Sequence, residues 1–449
     1  MPVERHILAK TTRIGLALLL PCVVFTTAAR AEEAASTSLL TTANGEMDVV
    51  EPAQPQANIA LPPKATSASA EAPQSGLKFG GAIRGRYDLR FNAADAAGHR
   101  RTSSNLSFDT LILKADYDSP TIFGAAQWRF YGGSFLYSRN YGYKNYPGEI
   151  NFPVYAYVGT KLSPRDKVTV GVQPVPFDDQ YWGSAFLNSM GFVMGLEEVY
   201  NAGISYSHSG DRFQIDGGFF PTTAPNAFGI SEDSARYSVN IVKGEASNQL
   251  ASRNAERNMV VGRAQYRLAS SDDGELSASA SAWLSTIHNF DTGDNGSRRA
   301  FAVSLKGRQG PWHAKLLAAR QTMSLRNPNS NDYVTVGNYD APFNIAADSK
   351  LYFGEIGRKV DTGSFPFSLD LFANYAYLQK DSAGFRDTQR INVGAFWSDK
   401  ATGKIKIWSE ALVGRNDPFV GAGQYGPGAA QGGDDRTKVS VLVIFGYYF

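Results

Sequence analysis

Arginines two and four residues apart are the side chains of this chain best suited to chemistry. Arg84 and Arg86 lie two apart, Arg90 follows, and Arg263 and Arg267 lie four apart. On an extended strand those spacings place side chains on one face. A guanidinium stays charged at any pH a cell meets and offers paired donors to a carboxylate or phosphate. The same parity places Arg129, Lys306, Arg308, Lys315, Lys404 and Lys406 opposite apolar neighbours. Acids placed that way are fewer: Asp88, Asp116, Asp216, Glu355, Asp370 and Glu410. This row is either an anion-attracting wall or a set of solvated cations bonded to nearby loops.

The segment 177–198 is its counterpart. It carries Asp178, Asp179, Glu197 and Glu198 and neither Lys nor Arg. A basic wall facing an acidic segment sets up a transverse field, which orients dipolar solutes and admits small ions of either sign. Tyr181, Trp182, Phe186, Leu187, Phe192 and Met194 of the same segment either pack it against the wall or form an apolar track for sugars.

Other constellations lead to no catalytic, cofactor or metal residue. Gly421, Gly423 and Gly426 have the spacing of a dinucleotide loop, without the preceding strand and following helix that would make it one. Asp291, Asp294 and Asn295 offer hard oxygens, but in a pattern that reads as a polar turn. His99, His208, His288 and His313 are scattered, with no metal spacing and no Ser–His arrangement. An enzyme is not expected.

The elements that must position these residues are strands. Leu276, Ala278, Ala280, Ala282 and Leu284 alternate with Ser277, Ser279 and Ser281; Val168, Val170 and Val172 alternate with polar residues. Tyr200, Ala202, Ile204 and Tyr206 behave likewise, as do Ile391, Val393, Ala395 and Trp397. Short turns rich in Gly, Pro, Asp and Ser fall at 118–120, 163–166, 209–211, 271–274, 310–311, 361–363 and 398–403. Long loops fall between them, near 92–104, 133–151, 177–198, 221–255, 289–297, 324–349, 380–387 and 415–436. Seven short turns and eight long loops join sixteen strands, with fourteen or eighteen as alternatives. Such a layout predicts an all-β, transmembrane antiparallel β-barrel with both termini on the short-turn, periplasmic side.

Both ends of the chain agree with export to an outer membrane. In the last twelve residues, Val439, Val441, Val443, Phe445, Tyr447 and Phe449 share one face, too apolar for an edge strand in water. This ending resembles the closing strand of bacterial outer-membrane barrels, where a final aromatic belongs to the assembly signal; Phe449 takes that place. At the other end, Arg5, Lys10 and Arg13 precede the apolar run 14–25, and Ala29-Arg30-Ala31 offers a cleavage site. Residues 1–31 read as a signal peptide and 32–76 as a disordered Ala/Pro-rich periplasmic extension, leaving 77–449 as the barrel. Cys22, the only cysteine, falls in the signal. Mean hydropathy is −0.27, as expected when water-facing residues dilute the lipid-facing half of each strand.

Four segments carry a family resemblance: Phe79–Phe91 (FGGAIRGRYDLRF), Ser107–Tyr117 (SFDTLILKADY), Val170–Phe177 (VGVQPVPF) and Gly195–Ile204 (GLEEVYNAGI). They are similar to the outer-membrane porin superfamily of phosphate-selective porins O and P. The resemblance implies a sixteen-stranded, trimeric channel whose third loop folds inward to constrict the pore. Two features depart from it, since the third loop is acidic and loop 289–297 lacks lysine. The expected function is passive diffusion of small hydrophilic solutes and ions through a weakly anion-preferring outer-membrane pore. A selective phosphate, anion or carbohydrate channel is the alternative, and an outer-membrane enzyme or adhesive barrel a second. Expected partners are outer-membrane lipid and lipopolysaccharide, the barrel-assembly machinery, two further copies of the chain and the solutes themselves, with no nucleic acid.

Overall fold

The computed structural model describes residues 76–94, 100–132, 147–186, 189–245, 248, 250–420, 429–433 and 435–449. The expected signal 1–31, nearly all of the extension 32–76, Cys22, His99, Leu187 and the glycines at 421, 423 and 426 lie outside those residues.

Among the described residues, nineteen strands and a short helix follow one another. They are β1 (Gly76–Ala94), β2 (Arg100–Asp118), β3 (Ile122–Gly132), β4 (Pro147–Lys161), β5 (Asp166–Pro174), α1 (Met190–Val193), β6 (Tyr200–Ser209), β7 (Phe213–Thr222), β8 (Asn240–Ile241) and β9 (Asn254–Ser270). Then come β10 (Gly274–Asn289), β11 (Asn295–Gln309), β12 (Trp312–Ser324), β13 (Tyr333–Asn338), β14 (Ala341–Ala346), β15 (Ser349–Val360), β16 (Phe367–Lys380), β17 (Thr388–Asp399), β18 (Ile405–Arg415) and β19 (Thr437–Tyr448). Sixteen of them, all except β8, β13 and β14, form one closed antiparallel barrel.

Closure joins β1 to β19, with Ala82 opposite Tyr448 and Arg90 opposite Ser440. The chain end completes it: Gly81 N–H donates to the Phe449 carbonyl at 2.9 Å, and Phe449 N–H returns a bond to the Gly81 carbonyl at 3.1 Å. No edge is left unpaired at that seam, which is what a strand in hydrocarbon requires. Glycine at 81 is needed there, since a Cβ would stand 2.9 Å from the Phe449 ring.

Outward faces are apolar. Ile83, Val158, Val170, Ile204, Val260, Val303, Leu316, Ile356 and Val393 are all exposed, and Trp312, Phe365, Tyr447 and Phe449 ring the short-turn end. Such a girdled apolar band is the lipid contact of a transmembrane barrel. The inward faces carry the arginines and serines that parity assigned to them. Two residues depart from that parity. Tyr200 turns inward, with ring centroids 5.6 Å from Tyr155 and 5.7 Å from Tyr237, because a bulge between Ala202 and Ile204 resets the strand. Lys404 precedes β18 in the turn, and its ammonium stands 5.9 Å from the outward-facing Tyr447 ring.

The three remaining strands form a second sheet, ordered β14-β13-β8, inside what the sequence presents as two plain long loops. A two-residue turn links β13 to β14, with Tyr339 and Asp340 both at positive φ, 47° and 64°. The Asp340 carboxylate holds this turn in place by accepting from Ile230 N–H at 2.7 Å and Ser231 N–H at 2.9 Å. Val334, Val336, Phe343 and Ile345 of this sheet are buried.

Candidate functional site

Inside the barrel, the connection 175–199 crosses from one wall to the opposite one. At its start Asp178 is gripped by three neighbouring strands. Its N–H donates to Ser281 Oγ of β10 at 2.8 Å, Ser304 Oγ of β11 donates to its carboxylate at 2.6 Å, and Lys315 Nζ of β12 does so at 2.6 Å. Asp179 beside it takes Lys306 and Lys315, each at 3.1 Å, with Arg263 3.9 Å away. Burial pushes the Asp179 carboxyl up, but Lys315 and Lys306 outweigh it and hold the group below the usual carboxylate range.

Further on, the loop's own amides bind wall carboxylates. Ser184 donates its N–H (2.8 Å) and Oγ (2.7 Å) to Glu355 of β15. Phe186 N–H donates to Glu410 of β18. The Phe186 ring packs 5.5 Å from Trp408 and lies 5.2 Å from the Arg84 guanidinium of β1. The chain then turns back through α1, capped by Ser189, whose Oγ accepts from Phe192 N–H at 3.0 Å. On the return, Arg298 of β11 donates to the carbonyls of Met194 (3.1 Å) and Gly195 (2.8 Å), and pairs with Glu256 at 3.0 Å. Trp182, Phe186, Phe192 and Met194 are buried, so they pack the loop against the wall instead of lining an open track.

Glu197 and Glu198 close the crossing. Glu197 accepts from Trp182 N–H at 2.6 Å and from Ser189 Oγ, and Glu198 accepts from Tyr237 Oη at 2.9 Å. Burial pushes Glu197 up to about 7, against the Ser189 and Trp182 hydrogen bonds and the attraction of Lys315, with Asp178 adding repulsion. Burial and the Glu197 charge raise Glu198 further, outweighing Arg129, Tyr237 and Arg84. An ordinary glutamate ionises near about 4.3. Because the docked loop holds these protons more tightly than water does, docking is favoured fully below that value and is weakened as pH rises through about 7. Open-channel current noise should therefore grow between pH 5 and pH 8 in planar bilayers, as the docked loop loses the advantage of holding these protons. The double variant Glu197→Gln, Glu198→Gln should be flat over that range. Equal noise at both pH values in the unaltered protein would sink the prediction.

Above this loop the second sheet adds an aromatic layer. Tyr339 lies 4.9 Å from Tyr131 and 5.4 Å from Phe152, edge to face in both cases. Arg129 stands 4.5 Å from the Tyr237 ring and donates to Gln127 at 2.6 Å and Tyr131 at 3.2 Å.

The other expected cations are mostly paired. Arg84 meets Asp109 at 2.8 Å, Arg86 meets Asp88 at 2.6 Å, Arg263 meets Asp216 at 2.7 Å and Arg267 meets Glu275 at 3.3 Å. Arg90 lies half-buried on the inner face of β1. Wall and acidic loop are thus in contact, not facing each other across open water as the sequence suggested. Arg308 differs: it is exposed, with no carboxylate within 4 Å among the described residues. Lys114 and Lys406, inward on β2 and β18, also lack an acidic partner there; Lys406 rests 4.9 Å from the Tyr448 ring. Gly446 sits opposite both Arg84 and Lys406. A Cβ at 446 would come 2.7 Å from Arg84 Cγ, so this glycine makes room for the guanidinium.

Parity alone would have found Lys114, Arg298 and Arg390, which share faces with Asp116, Lys306 and Asn392. Asp109 escapes parity because a bulge between Arg84 and Gly85 shifts the register of β2. The Arg390–Asp417 pair, 2.6 Å apart, joins a strand to a long loop and has no signal in local sequence. Two histidines meet acids, His208 with Asp166 at 2.7 Å and His313 with Asp370 at 3.0 Å. Ser163 bonds the Asp166 carboxylate itself, at 2.5 Å, and not the imidazole, so that cluster is a turn lock. Among the described residues, no three His, Cys, Asp or Glu side chains gather to hold a metal.

No protein-family model matches the chain, and no curated protein sequence matches it either. Solved structures do. An anion-selective porin from Comamonas acidovorans aligns with a TM-score of 0.52 at 13% identity, covering 84% of this chain and 100% of that one. The outer membrane channel DcaP of Acinetobacter baumannii aligns with a TM-score of 0.53 at 11% identity, covering 84% and 97%. The fold is that of the bacterial outer-membrane porins; narrower kinship with phosphate-selective porins O and P rests on the sequence segments alone.

Proposed function

We propose that this chain is an outer-membrane porin through which small hydrophilic solutes and ions diffuse passively, with a weak preference for anions. One observation supports this most: among the described residues of the polar lumen most carboxylates are engaged, while several cations, Arg308, Lys114 and Lys406 among them, are not. Loop amides hold Glu355 and Glu410, and cations hold Asp88, Asp109, Asp178, Asp179 and Asp216. Arg308, Lys114 and Lys406 have no carboxylate within 4 Å among the described residues; Glu275, opposite Arg308, is taken by Arg267, and Asp116, on the face of Lys114, is an exposed inner acid left to offset them. Seen through water from about 8 Å, one charge contributes roughly 0.5 kcal/mol before salt screening. Three together favour anions by about two- to threefold after screening.

The fold shared with an anion-selective porin is compatible with that sign, and trimeric assembly by the barrel-assembly machinery belongs to the same reading. Planar-bilayer recordings in a potassium chloride gradient test it. The unaltered pore should give a reversal potential on the anion side, and Lys114→Ser, Lys406→Ser, Arg308→Ser together should move it close to zero. Arg84→Ser should move it less, since that cation is buried against Asp109. Absence of stepwise conductance would end the channel reading. Block of chloride current at micromolar phosphate would replace the general pore with a dedicated anion channel.

A further inference from the structure

A histidine stands at the short-turn mouth of the pore, beside one of the cations that carry the proposed selectivity. His313 is the second residue of β12 and pairs across the sheet with Arg308 of β11. Among the described residues it is the one histidine on the inner face. His208 stacks at 5.4 Å on the outward Phe213 ring, and His288 meets the exposed Phe290 ring at 5.2 Å. Imidazole is the side chain whose ordinary change of charge falls between pH 5 and pH 8.

The wall makes a place for this ring. Its neighbour on the other side is Gly357 of β15, where a Cβ would overlap Cε1 and Nε2 of the imidazole. Glycine lets the ring lie across β15 and reach β16, where Nε2 meets Asp370 Oδ1 at 3.0 Å. The two side chains are 26% and 23% exposed, so their protons exchange with lumen water. Arg308 faces the pair from β11, and Lys359, exposed and opposite Asp370, faces it from β15. The remaining charges nearby are engaged elsewhere. Glu355, two residues from Gly357, is held by Ser184, and Lys315, two residues from His313, by Asp178 and Asp179. On β10, Glu275 stands opposite Arg308 and is taken by Arg267.

We propose that His313 is a specificity-determining residue of the pore. As an imidazolium it cancels Asp370 and leaves Arg308 unopposed at the mouth. As a neutral ring it leaves the Asp370 carboxylate to offset Arg308. The pore therefore prefers anions more strongly in acid than above neutral pH, and the proton on one ring sets the difference. The inference rests on the conducting pore proposed above and adds the group that adjusts its preference.

Reversal potentials of the purified full chain in a potassium chloride gradient test it, at pH 5 and at pH 8. Salt is kept near about 10 mM, where the screening length is about 30 Å. One charge seen through water from about 8 Å then shifts the anion-to-cation permeability ratio about twofold. His313→Gln, neutral throughout, should fall about twofold below the unaltered pore at pH 5 and match it at pH 8. His313→Arg should match the unaltered pore at pH 5 and exceed it about twofold at pH 8. Asp370→Asn, which removes the carboxylate and keeps the ring, should exceed it about twofold at both. Because chains are compared at one pH, the ionisation of Glu197 and Glu198, common to all of them, drops out. A His313→Gln pore equal to the unaltered one at pH 5, or a His313→Arg pore equal to it at pH 8, would overturn this inference and leave the porin standing. Absence of stepwise conductance from the unaltered chain would overturn both.

Discussion

Lys315→Met loosens the third loop at its first anchor and raises single-channel conductance. Lys315 is the shared counter-charge of Asp178 and Asp179, at 2.6 and 3.1 Å, and its side chain is only 7% exposed. Methionine keeps the volume but leaves a carboxylate that is 1% exposed without its cation. Removing one member of a buried ion pair costs about 3–5 kcal/mol, most of it the desolvation of the charge left behind. The cheapest relief is for Asp178 to leave Ser281, Ser304 and β12 and draw water after it. Glu355 and Glu410 still hold Ser184 and Phe186, so the loop swings from its far end and does not fall free. Recordings should show a larger and noisier unit conductance, with Lys315→Arg near the unaltered value. Unchanged conductance in Lys315→Met would mean that this end of the loop does not border the ion path.

Deletion of Phe449 lowers the assembled fraction in the membrane by about tenfold. Two reciprocal hydrogen bonds at the seam disappear with it, each worth about 1 kcal/mol in water and more where no water replaces them. The ring's stacking on Tyr447, 6.4 Å between centroids, is lost as well. The notch at Gly81 is then left empty on the lipid face. Heat-modifiable mobility of outer-membrane fractions measures the effect. A deletion that assembles like the unaltered chain would remove Phe449 from both the closing strand's stability and its targeting.

The barrel was legible because its physical causes are local. Period-two alternation, polar turns and an apolar closing strand each act over a dozen residues or fewer, and the wall of sixteen strands follows from them. What sits inside the wall was not. The hairpin β13–β14 turns on Tyr339 and Asp340, both left-handed, where a reader looks for Asn-Gly. Its stability comes from the Asp340 bonds to a segment 109 and 110 residues away. Arg84, Arg86, Arg129 and Arg263 lie on the inner face, but parity is silent on which acid each one meets. Asp109 came into reach through a bulge, and Asp178 through a loop that crosses the lumen.

The reach of that loop also dictates an order of events. Its far anchor, Phe186 to Glu410, spans 224 residues of sequence, and Ser184 to Glu355 spans 171. Neither bond has a partner until the second half of the chain has formed its hairpins. Contacts that close so long a stretch form late, after the loop entropy has been lost to nearer pairings. A growing barrel therefore passes through a stage with a complete early wall, a hollow interior and an undocked loop. Burial of the loop and sealing of the β1–β19 seam become nearly the same final event, and a chain stalled before it is a leak.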